Sequence, residues 1–408
     1  MAESSTVDAP DSLPGYPIER QCPYRPPAEY SELRAGGPVT QVRLFDGRTM
    51  WAVTGYEEAR TLLADTRLSS SRKYANLTFP VPIPSLPSLD QERPVRSPLI
   101  ATDPPEHGTR RRIFIPHFTV KRMNTLRPGI QAIVDSRVDE ILADGATSAD
   151  LVAQFALPIP SIVICELLGV PYEDHEFFEE QSLRRFDPVQ GDAMIKLYDY
   201  LDALILRKTA NPGEGRPGLL DELLANQVKE GLLDHAGLVM FALELLIGGH
   251  DTTANMIALG VLTLLEHPEQ LAAVKESDEA LSGAVEELLR SLAIVNSLSR
   301  VATEDIEIAG RTIRAGDGIL VSPPAVNHDA TVMEHPEEFR VDRTDRRHIG
   351  FGYGNHQCLG QNLARLEMEV AYRTLFKRVP DLRLAIPLDE VKPREGMLAG
   401  VLSLPVAW

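Results

Sequence analysis

The 408-residue chain predicts a mainly α fold with a small β portion, organised as one body. Three observations predict it. Apolar residues recur at helical spacing over most of the length. Asp46-Gly47, a hairpin-forming pair, separates two short strand-like runs. No low-complexity stretch, long glycine/serine linker or internal repeat interrupts the pattern, so a single domain spanning 1–408 is expected. Its first 27 residues, polar and proline-containing, read as a loosely ordered lead-in.

In chain order, the spacing predicts helices over residues 56–63, 123–142, 151–168, 193–206, 238–265, 283–292 and 359–375. Strands over 39–45 and 50–54 flank Asp46-Gly47, read as a two-residue turn. A second strand group, 306–308, 312–313 and 318–322, turns at Ala309-Gly310 and Ala315-Gly316, and a last strand-like run covers 402–406. Six prolines between 80 and 98 rule out a regular element and predict a long loop. The longest apolar stretch, 238–265, is broken at its centre by His250, Asp251, Thr252, Thr253 and Asn255, which makes it a core helix and not a membrane span.

Composition narrows the function. With 43% hydrophobic and 25% charged residues the chain reads as an ordinary soluble protein. A net charge of −18 argues against nucleic-acid or anionic-membrane partners, which require basic surfaces. Cys22, Cys165 and Cys358 are too scattered for a disulfide framework, and the N-terminus lacks the basic start and apolar run of a signal peptide. A cytoplasmic protein is expected.

The chemistry concentrates in two places. Residues 351–360 read Phe-Gly-Tyr-Gly-Asn-His-Gln-Cys-Leu-Gly. They place Cys358 in a glycine-rich loop entering a helix near Leu359, where free amides and the helix dipole favour a thiolate and hence a soft metal ligand. Gly352, Gly354 and Gly360 permit the close approach that wrapping a flat cofactor requires. In the long helix, Gly248, Gly249, His250, Asp251, Thr252 and Thr253 put two residues without side-chain bulk one turn before an acid and an alcohol. Gly248 and Thr252 share a face, and the Thr252 hydroxyl can bond to or release the carbonyl of residue 248, opening the helix locally. Glu287 and Arg290, three apart, can pair on one helix face.

The Phe351, Gly354, Cys358, Gly360 arrangement resembles the haem-binding loop of the cytochrome P-450 family, and the acid-alcohol pair resembles that family's oxygen-activating helix. The resemblance extends over the whole chain and is strongest to the soluble actinobacterial branch, where Asn-Leu-Ala-Arg follows Cys-Leu-Gly much as residues 361–365 do here. It implies the P-450 fold, with haem b between the long helix and the Cys358 loop, and O2 as co-substrate. By this likeness Cys358 is the axial iron ligand and Phe351 covers its sulfur. Gly352, Gly360, Gly248 and Gly249 line the cofactor, and His107, Arg111, Arg300 and His356 meet its propionates. Thr252 would hold activated oxygen and its water while Asp251 relays protons. Glu287, Arg290 and Arg343 would form a structural lock. The family's usual alanine before the helix glycine is Gly248 here.

The implied activity is a monooxygenase inserting one oxygen atom into a bulky, largely hydrophobic organic molecule. No flavin or nicotinamide fingerprint and no iron-sulfur cysteine cluster is present. Electrons are therefore expected from NAD(P)H through a ferredoxin reductase and a ferredoxin, docking a monomer at Arg110, Arg112, Arg346 and Arg347. A peroxide-driven enzyme would not need Asp251 and Thr252, and an electron carrier would usually carry a second axial ligand. The expected substrate walls are the proline-rich loop, residues 177–186, Ile247, Gly248, Ile294, Val295, Asn296 and 397–401 beginning at Met397. Glu244 lies two turns before Thr252 on the same face, and a carboxylate there needs a partner. Either an arginine (Arg72, Arg93 or Arg96) or a polar group of the substrate is expected to meet it.

Overall fold

His235 to Leu265 form one continuous α-helix, started by the Asp234 carboxylate, which accepts a 2.8 Å hydrogen bond from the Gly237 amide. Its residues are apolar almost all round, and such a helix is stable only at the centre of a body. The computed structural model describes residues 13–81, 96–171, 174, 177–178, 180–181, 192–213, 215–394 and 396–408. Against the central helix pack Pro158–Leu168, Ala193–Ala210, Asp278–Leu292 and Gln361–Arg378, and Arg127–Ile141 packs in turn on the first and last of these. Contact is close: a methyl group on Gly260 would lie 2.0 Å from the Tyr372 hydroxyl, which donates to the Met256 carbonyl at 2.6 Å. Among the described residues no helix is long and apolar enough to cross a membrane.

Among the described residues the β portion lies in three small sheets. Strands β1 (Val39–Arg43), β2 (Thr49–Val53), β3 (Leu68–Ser69), β5 (Leu298–Ala302) and β8 (Gly318–Val321) make one sheet in the order β1-β2-β8-β5-β3. Its one parallel pairing is β2 with β8. β4 (Ser148–Asp150), β10 (Pro405–Ala407) and β9 (Arg383–Leu384) form the second sheet, and β6 (Ile306–Ile308) pairs with β7 (Arg311–Ile313). The β6–β7 turn places Ala309 and Gly310 at φ 49° and 70°, as a tight hairpin demands.

Three expectations shift. The first hairpin is not a two-residue turn: Leu44 N bonds Arg48 O at 2.9 Å and Gly47 N bonds Leu44 O at 3.0 Å, so Phe45, Asp46 and Gly47 form a three-residue loop with Gly47 at φ 83°. The helix expected over 123–142 is two, Val120–Asn124 and Arg127–Ile141, because Pro128 lacks the amide needed to continue the first. The stretch from residue 13 to 27 is not loose. Tyr16 is buried and its hydroxyl donates to Asn296 O at 3.2 Å, while Arg20 Nη2 donates to Leu292 O at 2.7 Å, capping the end of helix Asp278–Leu292. Most of the proline-rich loop, including Arg93, lies outside the described residues.

Candidate active site

The Cys358 loop is closed by its own backbone. Cys358 N donates to Phe351 O at 2.8 Å, Gly352 N to Ile349 O at 2.8 Å, and Gln357 N to Gly354 O at 3.1 Å. Gly352 and Gly354 adopt φ 70° and 72°, and a side chain on Gly354 would strike Leu63 O at 2.3 Å. Only glycine fits there. The helix begins at Gln361, two residues later than predicted. Cys358 is accessible although protein crowds it on most sides, so its sulfur faces an opening inside the protein. Burial pushes its thiol up, against the amides of Gly360 and Gln361 and the guanidiniums of Arg111 and Arg365. The amides and guanidiniums favour the thiolate against that burial, and coordination to a metal ion would remove the proton outright.

Beside this loop two histidines, His107 and His356, converge with two arginines, Arg111 and Arg300. The His107 and His356 rings lie 4.0 Å apart, and Arg111 donates to Gln357 O. His356 falls to about 3, through burial and then the charges of Arg300, His107 and Arg111. His107 is lowered by burial and then by Arg111, Arg110 and Arg300, and burial brings Arg300 down to about 10 despite Asp103. A dianion placed among them would answer both guanidiniums and favour protonation of the two imidazoles. His107 is 2% exposed, and its Nε2 has no hydrogen-bond partner among the described residues; nor has Ser299 Oγ, next to Arg300. On the opposite side Gly248 is exposed on an otherwise buried helix, and a side chain there or at Gly360 would meet nothing within 4 Å. Orphaned donors, a basic cluster and bare glycine faces fit a flat dicarboxylate macrocycle with Cys358 as its thiolate ligand.

Across the opening, Thr252 Oγ1 donates to Gly248 O at 2.6 Å, the bonded one of the two arrangements expected, and the helix stays continuous. Asp251 is buried, its Oδ1 paired with Arg394 Nη1 at 2.9 Å. Nothing in the sequence announced Arg394, a lone arginine in a loop. Gly249, expected among the cofactor contacts, turns instead to helix Pro158–Leu168: its Cβ would sit 3.3 Å from Ile164 Cδ1. One residue rotates the helix by about 100°, enough to take Gly249 off the Gly248 face.

The substrate side is partly corrected. Ile247 is half-buried, but Ile294 is buried in the core. Asn296 N takes Met397 O at 3.2 Å, its side chain takes Gly396 O at 2.8 Å, and Val295 bridges Leu398. These residues therefore hold the 396–399 turn through backbone and amide bonds. Of residues 177–186, Phe177 and Phe178 stack against Tyr200. Among the described residues no arginine hydrogen-bonds Glu244, and Arg110 and Arg72 act on it only through their charge. Its carboxylate accepts from the amides of Leu99, at 2.7 Å, and Ile100, at 3.0 Å. Burial still holds its carboxyl above the usual range. Arg96 pairs with Asp234 instead.

On the outer face of the Cys358 loop the lock is present. Arg290 grips Glu287 with two bonds of 2.7 Å, Arg343 Nε lies 3.2 Å from both Glu287 oxygens, and the Arg340 amide adds a fourth donor at 3.0 Å. Next to it, Glu286 binds Arg365 Nε at 2.6 Å and His348 Nε2 at 3.1 Å. A recess of about 260 Å³ opens here, lined by Tyr56, Arg60, Arg346, Arg347, Tyr353 and Arg365 among others. Arg365 lies 4.6 Å over the Phe351 ring, so Phe351 sits between this recess and the Cys358 turn. Arg112 is exposed, but Arg110 is not a docking residue: it turns inward to Ser97 O, at 2.8 Å, and Thr102 Oγ1, at 3.1 Å.

The cytochrome P450 family model matches residues 190–405. Cytochrome P450-SOY of Streptomyces griseus is 49% identical over all of both chains, and pentalenic acid synthase of Streptomyces avermitilis is 50% identical, again over all of both. The crystal structure of CYP105D6 superposes with a TM-score of 0.86 at 50% identity, covering 97% of this chain and 98% of that one. The chain belongs to the cytochrome P450 family. It is an oxidoreductase, a P450 monooxygenase of the bacterial, actinobacterial type, with haem b as cofactor and O2 as co-substrate. The fold class and cofactor expected from sequence are borne out.

Proposed function

We propose that this P450 inserts one oxygen atom into a bulky, largely hydrophobic secondary metabolite or xenobiotic, by hydroxylation or epoxidation, with electrons from NAD(P)H through a ferredoxin reductase and ferredoxin. The observation that carries the reading is the exposed Gly248 face of a buried helix with the Thr252 hydroxyl one turn on and Asp251 beside it. A peroxide-driven enzyme has no use for that pair.

Cys358, with His107, Arg111, Arg300 and His356, would hold haem, which when bound would supply the iron chemistry that activates O2. The protein does the rest. Thr252 Oγ1 releases the Gly248 carbonyl and presents its proton to the chamber. Asp251, paired with Arg394 at 2.9 Å, relays protons: its carboxylate takes one up from the solvent side and passes it on to replace the one Thr252 gives. Ile247 and the 396–399 turn shape an apolar chamber that orients substrate and excludes bulk water. The outer recess, with Arg60, Arg346 and Arg347 around it, suits an acidic electron donor.

Replacing Thr252 by Ala tests the proton assignment. Substrate-induced spectral shifts should stay, while NAD(P)H consumption is diverted largely to hydrogen peroxide. Tight coupling of NAD(P)H to product in that variant would leave Thr252 a helix-stabilising residue only. A carbon-monoxide difference spectrum of the reduced protein checks the ligand, with a band expected near ~450 nm for thiolate-bound haem.

A further inference from the structure

Ser97 to Thr102 form a short segment held from two sides by opposite charges. From the long helix, Glu244 takes the amides of Leu99 and Ile100, the free donors that open the 3₁₀ turn Leu99–Ala101. From helix Glu106–Phe114, Arg110 Nη1 takes the carbonyl of Ser97 and the hydroxyl of Thr102, while Thr102 Oγ1 itself donates to Pro98 O at 2.7 Å. Arg110 also pulls the Glu244 carboxyl downward, against its burial, and approaches the exposed Glu106 at 3.7 Å. The carboxylate and the guanidinium thus act on one turn together.

The position of this turn gives it meaning. Glu244, Gly248 and Thr252 recur every four residues, so the turn is pinned to the face that opens onto the chamber, about 12 Å along the axis from Thr252. It leaves Leu99 buried and the apolar side chain of Ile100 67% exposed. Arg110 lies on the helix that carries His107 and Arg111, so the same turn is registered against both the oxygen-side helix and the basic cluster. A buried carboxylate raised by its surroundings costs stability. A neutral side chain would hold the core more cheaply, whereas only an acceptor with two oxygens holds both amides.

We propose that Glu244 and Arg110 are specificity-determining positioning residues, a clamp that fixes the Ser97–Thr102 turn as one edge of the substrate chamber and so decides which bulky molecules reach the haem. This rests on the haem-chamber reading above. It assigns Glu244 no contact with substrate.

The test uses the haem-loaded enzyme with Glu244→Gln and Arg110→Met. Hydrogen exchange at the Leu99 and Ile100 amides, referenced to helix Gln361–Arg378 in the same sample, should accelerate in Glu244→Gln by roughly tenfold to a hundredfold, the worth of a charged hydrogen bond. Arg110→Met should act in the same direction but less. Two azoles that bind the haem iron then read the chamber, one small (imidazole) and one bulky (clotrimazole). The ratio of their affinities should change at least about fivefold in Glu244→Gln, with imidazole itself within about twofold of the natural protein, since losing one hydrogen bond is expected to move affinity on this scale. Unchanged exchange at both amides would overturn the clamp. Faster exchange with an unchanged azole ratio would overturn its role in specificity. If neither azole perturbed the haem spectrum of the natural protein, the chamber reading would have failed, not the clamp.

Discussion

The two sides of the proposed haem site are built by different means. On the Cys358 side, the ligand loop and the first pair of the lock are fixed by neighbours close in sequence: the loop 349–358 closes on its own backbone, and Glu287 and Arg290 pair within one helical turn, with Arg111, Arg343 and Arg365 added from farther along the chain. On the Thr252 side, the groups are fixed by partners far away. Glu244 reaches amides about 145 residues earlier, Asp251 is paired with an arginine 143 residues later, and Asn296 holds a turn 100 residues on. Ligand chemistry common to any substrate can be stored locally. A chamber that must fit a particular molecule is closed by long-range contacts, each replaceable without disturbing the iron side.

The first way to break the contrast is at its local end. Cys358→Ala should abolish oxygen insertion altogether, because no other described residue offers a thiolate to this opening. Product formation from any substrate by the haem-loaded variant would end the assignment.

The lock is next in size. Glu287 and Arg290 are 3% and 1% exposed, so removing the carboxylate strands two buried guanidiniums. Glu287→Ala should cost about 3–5 kcal/mol in denaturant unfolding and release haem early in the transition. A loss under about 1 kcal/mol would mean that carbonyls such as Asn327 O and Glu338 O suffice for the arginines.

These outcomes explain what sequence could reveal. The Cys358 loop, the Glu287–Arg290 pair and the His107–Arg111 spacing were legible because each is written within ten residues. Arg343 was reachable through the family likeness. Arg394, Arg20 and the Leu99–Ile100 amides were not, because a lone arginine or a backbone amide carries no signal until the chain brings it beside its partner. Gly249 failed for a subtler reason: two adjacent glycines look alike in sequence but point about 100° apart on a helix.

Glu286, one residue from the lock, makes a smaller and pH-dependent test. Burial would raise its carboxyl, but hydrogen bonds from His348 and Arg365 outweigh this and push it down to about 2. A carboxylate depressed on folding contributes stability above its unfolded value and loses it as pH falls through the folded value. The contribution, on the order of 2–3 kcal/mol, should therefore be intact above about pH 5 and vanish towards pH 2. Glu286→Gln should raise the midpoint of acid unfolding and leave the neutral protein less stable by that amount. An unmoved acid midpoint would show that His348 and Arg365 find other partners.

The smallest expected effect sharpens the docking face. Arg347 is held by Asp345 through bonds of 2.6 and 2.9 Å, so much of its charge is already answered. Arg346 and Arg112, both exposed, have no carboxylate within ion-pair distance among the described residues. Charge reversal at Arg346 should therefore slow the first electron transfer from an acidic ferredoxin several-fold at low ionic strength and flatten its dependence on salt. Arg347→Glu should do less, because it exchanges one member of a screened pair and repels Asp345 first. Stopped-flow reduction under carbon monoxide, run across a salt series, separates the two, with substrate affinity as the unchanged control. Equal effects at both positions would mean that the donor senses the summed field of this face and not the individual cations. Rates untouched at either position would move the electron donor away from the recess.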